Sequence, residues 1–549
     1  MPDELRGIGV SPGLAAGPVA RMSPPPPLPD ARTVTDPERE TATAAHALEA
    51  TESRLRERAA ATTGEAHDIL DAQSMIAGDP TLKDGVIARI KDGADAPHAL
   101  RDTFDEHRRT LEGLGGYLAE RAADLDDIAH RAIAVALGLP MPGVPDPGHP
   151  FVLVADDLAP ADTATLDPDH VLALVTERGG PTSHTAILAR SLGLPAVVGC
   201  TGALDIGDET TVTVDGTTGR VRTGVDEKEV ADVRDRAAEE RARLAGGTGP
   251  GRTSDGHAVD LMVNIGSAAD LAGVDLSDVA GVGLFRTEFL FLDRHDAPDL
   301  EEQVAAYTEA FRFFETGTIV VRTLDAGADK PLQFLGLPDE PNPALGVRGL
   351  RVARDRPEIL DTQLEAIALA SAQTSADVWV MAPMVSTQPE ADAFAARVRH
   401  HGLPTAGVMI EVPAAALRAR RFLDVVDFLS IGTNDLSQYT LAADRQTGDL
   451  ADLLDPWQPA LLELIANCAA AGKDAGKSVG ICGEAAADPL LAPVLAGLGI
   501  TKLSMSPRAL PAVRASLAGH TLADCERLAA RALDTGDAAE ARAAVIAAT

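Results

Sequence analysis

Two patterns of apolar residues divide this chain. From Asp36 to Leu137 the period is helical. Asp36–Pro37–Glu38 reads as a cap followed by proline at the first helical position. Ala44, Leu48, Leu55 and Ala59 then recur at helical spacing. Further helical runs are predicted over 65–77, 81–91, 96–120 and 125–137, broken at points such as Gly78–Asp79–Pro80. Consecutive helices with short breaks predict a helical bundle.

Around it the pattern changes to short apolar runs. Phe151–Ala155, Val171–Val175, Ala196–Val198 and Thr211–Val214 read as strands interleaved with helices, and Asp215–Gly216 suits a hairpin turn. Residues 5–21, with Gly7, Gly9, Pro12, Gly13 and Gly17, read as a strand with tight turns ahead of the polyproline run Pro24–Pro27. That strand is expected to rejoin the α/β domain and leave the bundle as an insertion. Residues 226–244 form a charged helical run that ends in Gly246–Gly251, read either as a hinge or as an ordinary linker.

The C-terminal half alternates strand and helix eight times: Val259–Ile265, Gly281–Phe285, Ile319–Arg322, Val378–Pro383, Gly407–Ile410, Phe428–Ile431, Val479–Cys482 and Lys502–Met505. Such alternation over about 290 residues predicts a (β/α)8 barrel, whose active site lies at the C-terminal ends of the strands.

Composition narrows the function classes. At 549 residues the chain needs several cores, so a multidomain α/β protein is expected. A formal charge of −35 disfavours nucleic acid and anionic membranes and favours a basic protein partner. No signal peptide or run of about 20 apolar residues is present, and the four cysteines form no CxxC pair, so a reducing, cytoplasmic setting and no zinc site are expected.

The candidate chemistry falls in two places. Gly179–Gly180–Pro181–Thr182–Ser183–His184–Thr185–Ala186 follows the strand at Val171–Val175 and opens a short helix. Backbone N–H groups at a helix start favour an anion, so a neutral His184 imidazole could accept a phosphoryl group; a capping turn containing a histidine would leave the same local pattern. The barrel strand ends carry Asn264, Arg286 and Glu288, Arg322 and Asp325, Glu411, Asn434 and Asp435, and Cys482 and Glu484. Arg286, Arg322, Arg348, Arg445 and Lys330 suit an anion bearing phosphate and carboxylate. Glu411 and Asp435, on neighbouring strand ends, suit Mg2+, with structural salt bridges as the alternative. Cys482 reads as an acid able to protonate carbon or as a buried apolar thiol.

Together these stretches resemble Enzyme I of the bacterial sugar phosphotransferase system, the phosphoenolpyruvate–protein phosphotransferases, over nearly the whole chain. The resemblance is carried by Gly179–Thr185, Leu284–Phe291, Val321–Asp325, Asn342–Arg348, Met409–Ala414 and Ser430–Tyr439. It implies an α/β phosphohistidine swivelling domain at 1–22 plus 142–223 and an inserted helical carrier-binding domain at 23–141. It further implies a linker helix and hinge at 224–251 and a (β/α)8 barrel at 252–549 that binds phosphoenolpyruvate and dimerises. By the same resemblance His184 takes the phosphoryl group and passes it to a histidine of the carrier HPr. Arg286, Arg322, Lys330, Arg348, Asn434, Asp435 and Arg445 grip phosphoenolpyruvate, Glu411 and Asp435 hold Mg2+, and Cys482 protonates the enolate. An acidic helical face of Glu65, Asp68, Asp71 and Asp79, with Met75 and Ile76 beside it, would meet HPr.

Three positions depart from the family pattern: Pro181 where a basic residue is common, Ala328 where a second glycine usually precedes Asp–Lys, and Gln73 in the expected carrier-binding stretch. Pyruvate phosphate dikinase and phosphoenolpyruvate synthase share the histidine domain and barrel but need an ATP-grasp domain, for which the chain is expected to have no room. A nitrogen-related variant would need a further N-terminal sensor domain. A non-enzymatic phosphoprotein regulator is the reading from a different class.

Overall fold

The computed structural model describes the chain apart from residues 1–3, 23–25, 61–64, 115–121, 140, 146, 159–165, 167–169, 181–184, 187–188, 190–191, 246–247, 293, 295, 315–316, 328–331, 339, 446–447 and 549. The side chains of 60, 65–69, 111–114, 122–123, 240–245, 333, 448–449 and 451 are also outside the description. The described residues form two compact units, Met1–Ala238 and Glu239–Thr549.

In the first unit the helical period yields α1 (Pro37–Ala60), α2 (Glu65–Ala77), α3 (Pro80–Lys91), α4 (Ala96–Leu114) and α5 (Ala122–Leu137). The α1 start is capped as its sequence predicts, with the Asp36 carboxylate accepting from the Arg39 N–H at 3.1 Å. Asp79 caps α3 in the same way through the Thr81 N–H at 2.6 Å. Leu48, Leu55, Leu82, Ile90, Leu100, Phe104 and Ile128 lie in one core. The helix expected over 96–120 is described as far as Leu114; residues 115–121 fall outside the description.

The α/β part is an eight-stranded mixed sheet with the order β1-β8-β7-β3-β4-β5-β6-β2. Its strands are β1 (Glu4–Arg6), β2 (Ile8–Ser11), β3 (Leu14–Arg21), β4 (Phe151–Ala155), β5 (Val171–Thr176), β6 (Ala196–Val198), β7 (Thr211–Asp215) and β8 (Arg220–Arg222). Strand β3 pairs in parallel with β4 and antiparallel with β7, and β2 pairs with β6. Strands from before the bundle therefore share a sheet with strands from after it. The β7–β8 connection is a hairpin fastened by the Asp215 carboxylate, which accepts from the Thr217 and Thr218 N–H groups at 2.9 and 3.0 Å. Helix α6 (Glu227–Ala245) follows.

The second unit is a closed parallel barrel of eight strands. These are β9 (Asp260–Ile265), β10 (Gly281–Arg286), β11 (Thr318–Arg322), β12 (Asp377–Ala382), β13 (Thr405–Ile410), β14 (Phe428–Ile431), β15 (Val479–Ile481) and β16 (Lys502–Met505). All eight sequence runs become strands, with ends moved by at most two residues. Cys482 falls one position beyond β15, where its N–H still donates to the Ile431 carbonyl at 3.1 Å. The helices used below are α7 (Leu300–Phe311), α8 (Pro357–Ser371), α9 (Gln388–His400) and α10 (Thr433–Leu441). Leu284, Val320, Met381, Met409, Phe428 and Cys482 pack inside the barrel. Trp379 lies against Phe428 with ring centroids 4.9 Å apart, and the Lys502 ammonium sits 4.4 Å from the Trp379 ring, filling the N-terminal end. The polar groups are left at the other end, as barrel geometry requires.

Candidate active site

Side chains at or just past the ends of β10, β11, β13, β14 and β15 gather at the barrel mouth, with the Met384 N–H beyond β12, while Ser504 of β16 is bonded to Asn264 of β9. Arg286 ends β10 with an exposed side chain. Desolvation by the surrounding protein, and then the nearby Arg322 charge, hold its pKa below the usual guanidinium range. Two residues on, the buried Glu288 carboxylate accepts from Arg322 Nη2 at 2.9 Å and from the Asp325 N–H at 2.9 Å. Arg322 ends β11 and is also buried. Burial opposes its charge, but Glu288, Asp325 and Glu411 outweigh that and hold it firmly protonated. Its Nε is buried without a hydrogen-bond partner among the described residues. In a native site such a donor calls for a ligand oxygen or water.

The long connection after β11 returns Arg348 to the mouth. Arg348 Nη2 donates to both oxygens of Asp325 at 3.0 and 3.2 Å, while Nη1 lies 3.5 Å from Asp435 Oδ1. Asp435 sits in the first turn of α10, and Arg445, beyond the end of that helix, lies 3.4 Å from the same Oδ1. Asn434 and Glu484 hold each other: the Asn434 amide donates to the Glu484 carboxylate, and the Glu484 N–H donates to the Asn434 carbonyl, both at 3.3 Å.

Glu411 follows β13 and is buried. The Met384 N–H beyond β12 donates to its Oε1, with Met384 at a φ of +57°. A backbone held in the left-handed region by a non-glycine residue is costly, and here it aims an N–H at the carboxylate. Asp325, Glu411 and Asp435 bring oxygens within 4.8 Å of one another. Burial first, then the Asp325 and Asp435 charges, push the Glu411 carboxyl up to about 8. A crowded set of hard oxygen donors with unfavourable mutual charge fits a divalent cation such as Mg2+.

Cys482 is buried with its Sγ 3.6 Å from the Ile431 carbonyl. Burial raises its thiol, while a Ser430 hydrogen bond and the Arg322 charge pull the other way. The thiol therefore stays protonated at neutral pH, as a proton donor must. Asn264, at the end of β9, is engaged by the protein and not left open to a ligand. Its amide is used by the Cys482 and Ser504 carbonyls at 3.0 and 3.2 Å, and Ser504 Oγ donates to its oxygen at 2.5 Å. It closes the seam between β9, β15 and β16 instead.

His184 and Lys330 lie outside the described residues. The flanks of His184 are described: Gly179 adopts a φ of +98°, Arg178 pairs with Asp156, and the buried Thr185 donates to Asp157 at 3.0 Å. In the bundle, Glu65 and Asp68 lie on α2, with their side chains outside the description. Met75 is 69% exposed, whereas Ile76 is half-buried against the helical core, so of these two Met75 offers the free surface. Gln73 is buried and donates to Asp124 at 2.9 Å, so it braces the bundle.

Sequence reasoning did not identify Gln363 of α8, although it organises the mouth from behind. Its fully buried amide accepts from the Leu324 N–H at 2.9 Å and donates to Thr287 Oγ1 and the Tyr307 hydroxyl at 3.1 and 3.0 Å. A lone glutamine among Leu360, Leu364 and Ile367 on the apolar face of α8 was the available signal.

Residues 6–121 match the family described as PEP-utilising enzyme, N-terminal; 147–219 match its mobile domain, and 243–522 match its PEP-binding domain. A phosphoenolpyruvate-protein phosphotransferase of Streptomyces coelicolor is 54% identical over 548 residues, covering 99% of each chain. Those of Haloferax volcanii and Bacillus subtilis are 42% and 36% identical, covering 88% and 94% of each chain. With three domain families in order and this identity from end to end, the chain belongs to the phosphoenolpyruvate–protein phosphotransferase family.

Proposed function

We propose that the protein takes the phosphoryl group of phosphoenolpyruvate onto His184, passes it to a histidine of the carrier HPr and releases pyruvate, the first step of the sugar phosphotransferase system. The observation that carries this reading is the chain of Arg322, Asp325, Arg348, Asp435 and Arg445 around Glu411 at the barrel mouth. It offers guanidinium groups to an anion beside carboxylates suited to a cation.

Arg286, Arg322, Lys330, Arg348, Asn434 and Arg445 would bind the phosphate and carboxylate of the substrate. Phosphoryl transfer depends on this positioning and on neutralised charge more than on covalent help from the protein. Glu411 and Asp435 would hold Mg2+, which when bound offsets charge on the transferring group and on the enolate oxygen. A neutral ring nitrogen of His184 forms the new N–P bond as the P–O bond to the enolate breaks. Cys482 then gives its proton to the enolate carbon, yielding pyruvate, and regains one from solvent.

His184 belongs to the mobile domain and the substrate groups to the barrel, so the reaction requires the two to approach and part. The α/β domain at 1–22 plus 142–223 would carry the phosphohistidine, and the bundle at 23–141 would receive HPr, with Glu65, Asp68, Met75 and Ile76 at its face. A linker at 224–251 would join them to the barrel at 252–549, through which the protein would form a homodimer in the cytoplasm. Among the described residues no helix is long and apolar enough to cross a membrane.

The test is incubation with phosphoenolpyruvate and Mg2+, phosphosite mapping, and a pyruvate assay with and without HPr. Acid-labile phosphate on His184, with sustained pyruvate release only when HPr is present, is expected. Phosphate on another residue, or none, would overturn the assignment.

A further inference from the structure

The three clustered carboxylates at the barrel mouth are not equivalent. Asp325 is buried, and its charge is already met by two guanidinium groups: Arg348 Nη2 at 3.0 and 3.2 Å, and Arg322 Nη1 at 3.3 Å. Both of its oxygens take part. Asp435 takes its two guanidinium contacts at 3.4 and 3.5 Å, both on Oδ1. Glu411 makes no ion pair among the described residues and accepts from the Met384 N–H.

The backbone around Asp325 is fixed from several sides. Its N–H donates to Glu288, which holds Arg322 on the far side, and the Leu324 N–H donates to Gln363. Gly327 forms a bridge with Arg348, where a Cβ would come 2.5 Å from the Arg348 Cα. Gly349, at a φ of +57°, leaves room beside Asp325 Oδ1, which a Cβ would approach to 3.2 Å. The chain on both sides of Arg348 is thus shaped to bring that guanidinium onto this carboxylate.

We infer that Asp325 is a positioning residue, which holds the Arg322 and Arg348 guanidinium groups side by side for the substrate's anionic oxygens, and that it is not a ligand of the cation. Two like charges brought together in a buried site repel, and an anion fixed between them sets their spacing before substrate arrives. Glu411 and Asp435 are then left to the cation. The inference rests on the reading of the mouth as a phosphoenolpyruvate and Mg2+ site.

The test uses the full-length protein and its Asp325→Asn variant, with Mn2+ binding followed by electron paramagnetic resonance in the absence of substrate and phosphoenolpyruvate binding followed by calorimetry. For Asp325→Asn, Mn2+ affinity within about threefold of the parent is expected, with phosphoenolpyruvate affinity reduced by about tenfold or more and KM raised, the scale seen when a supporting partner of a site is removed. A tenfold loss of Mn2+ affinity would make Asp325 a ligand and overturn the inference, as would unchanged phosphoenolpyruvate affinity. Should Asp325→Asn alone fail to fold, the charge-balanced Asp325→Asn/Arg348→Gln protein is compared with Arg348→Gln. Equal Mn2+ affinity in these two proteins supports positioning; a further fall of about tenfold in Mn2+ affinity on adding Asp325→Asn refutes it. If the parent itself binds neither Mn2+ nor phosphoenolpyruvate, the functional reading fails instead.

Discussion

The Tyr439 hydroxyl, on α10, donates to the carbonyl of Ala344, in the long connection that follows β11. Four residues beyond Ala344 is Arg348, whose guanidinium lies between Asp325 and Asp435. The phenol therefore fastens the segment bearing Arg348, proposed above to bind substrate, to the helix bearing Asp435, proposed above to hold the cation. Tyr439→Phe removes the latch and keeps the ring. A lost hydrogen bond of this kind contributes about 1–1.5 kcal/mol, so KM for phosphoenolpyruvate should rise by about five- to tenfold. Steady-state pyruvate formation with HPr checks this, with kcat expected to change by less than about twofold because the reacting atoms are untouched.

Gln363 should matter for both stability and catalysis. Its amide makes three hydrogen bonds in a fully buried setting, and one of its partners, Thr287, in turn donates to the Arg322 carbonyl at 2.9 Å. Gln363→Ala leaves those groups unsatisfied and opens a small cavity, a combination that costs about 2–4 kcal/mol. Both tryptophans, Trp379 and Trp457, belong to the barrel unit, so tryptophan fluorescence in denaturant follows that unit alone. A lower unfolding midpoint by tryptophan fluorescence is the expected result.

The same residue shows where sequence reading stops. Strand positions were legible because each is a local run of apolar residues, and the residues just past each run were bound to gather once the barrel closed. Partnerships among them were not legible. Glu288 and Arg322 are 34 positions apart, Gln363 and Thr287 are 76 apart, and Asn264 meets Ser504 across 240. Which amide or carboxylate faces a ligand and which faces the protein is decided by side-chain directions at closure. Asn264 is the example: its place at a strand end was readable, but its use as a seam between strands was not. Asp325 is the converse, visible three residues after Arg322 yet without an evident role until Arg348 is seen beside it.

Cys482 gives a chemical prediction. Burial raises its thiol, and Cys200, Cys468 and Cys525 are also buried with thiols pushed up to about 11, 12 and 11. Since the thiolate is the nucleophile, the native protein should react with a disulfide reagent at pH 8 far more slowly than the denatured protein, in which all four thiols titrate. Cys482→Ala should retain phosphoenolpyruvate binding and lose about 100-fold or more in pyruvate formation, the usual scale for removing a general acid. Rapid thiol labelling of the native protein, or undiminished turnover by the variant, would argue against its role as donor.

Glu411 predicts how the cation site responds to pH. Its carboxyl titrates near 4.5 in an unfolded chain and is pushed up to about 8 in the folded one by burial and by the Asp325 and Asp435 charges. Between these values the folded, cation-free protein holds a proton that the unfolded chain has lost. The Glu411 contribution to stability therefore falls as pH rises through the interval and levels off above about 8. A divalent cation replaces that proton, so each ion bound below pH 8 should release up to one proton, and affinity should climb by up to about one decade per pH unit until it flattens. Calorimetric titration of Mg2+ in buffers of different ionisation enthalpy measures the proton release directly. Thermal unfolding with chelator should show the downward slope, and saturating Mg2+ should remove it. Glu411→Gln cannot ionise, so its cation-free stability should lack this slope and its Mg2+ affinity should be weak at every pH. A cation affinity independent of pH between 6 and 8 in the unmodified protein would show that Glu411 is already ionised before the metal arrives.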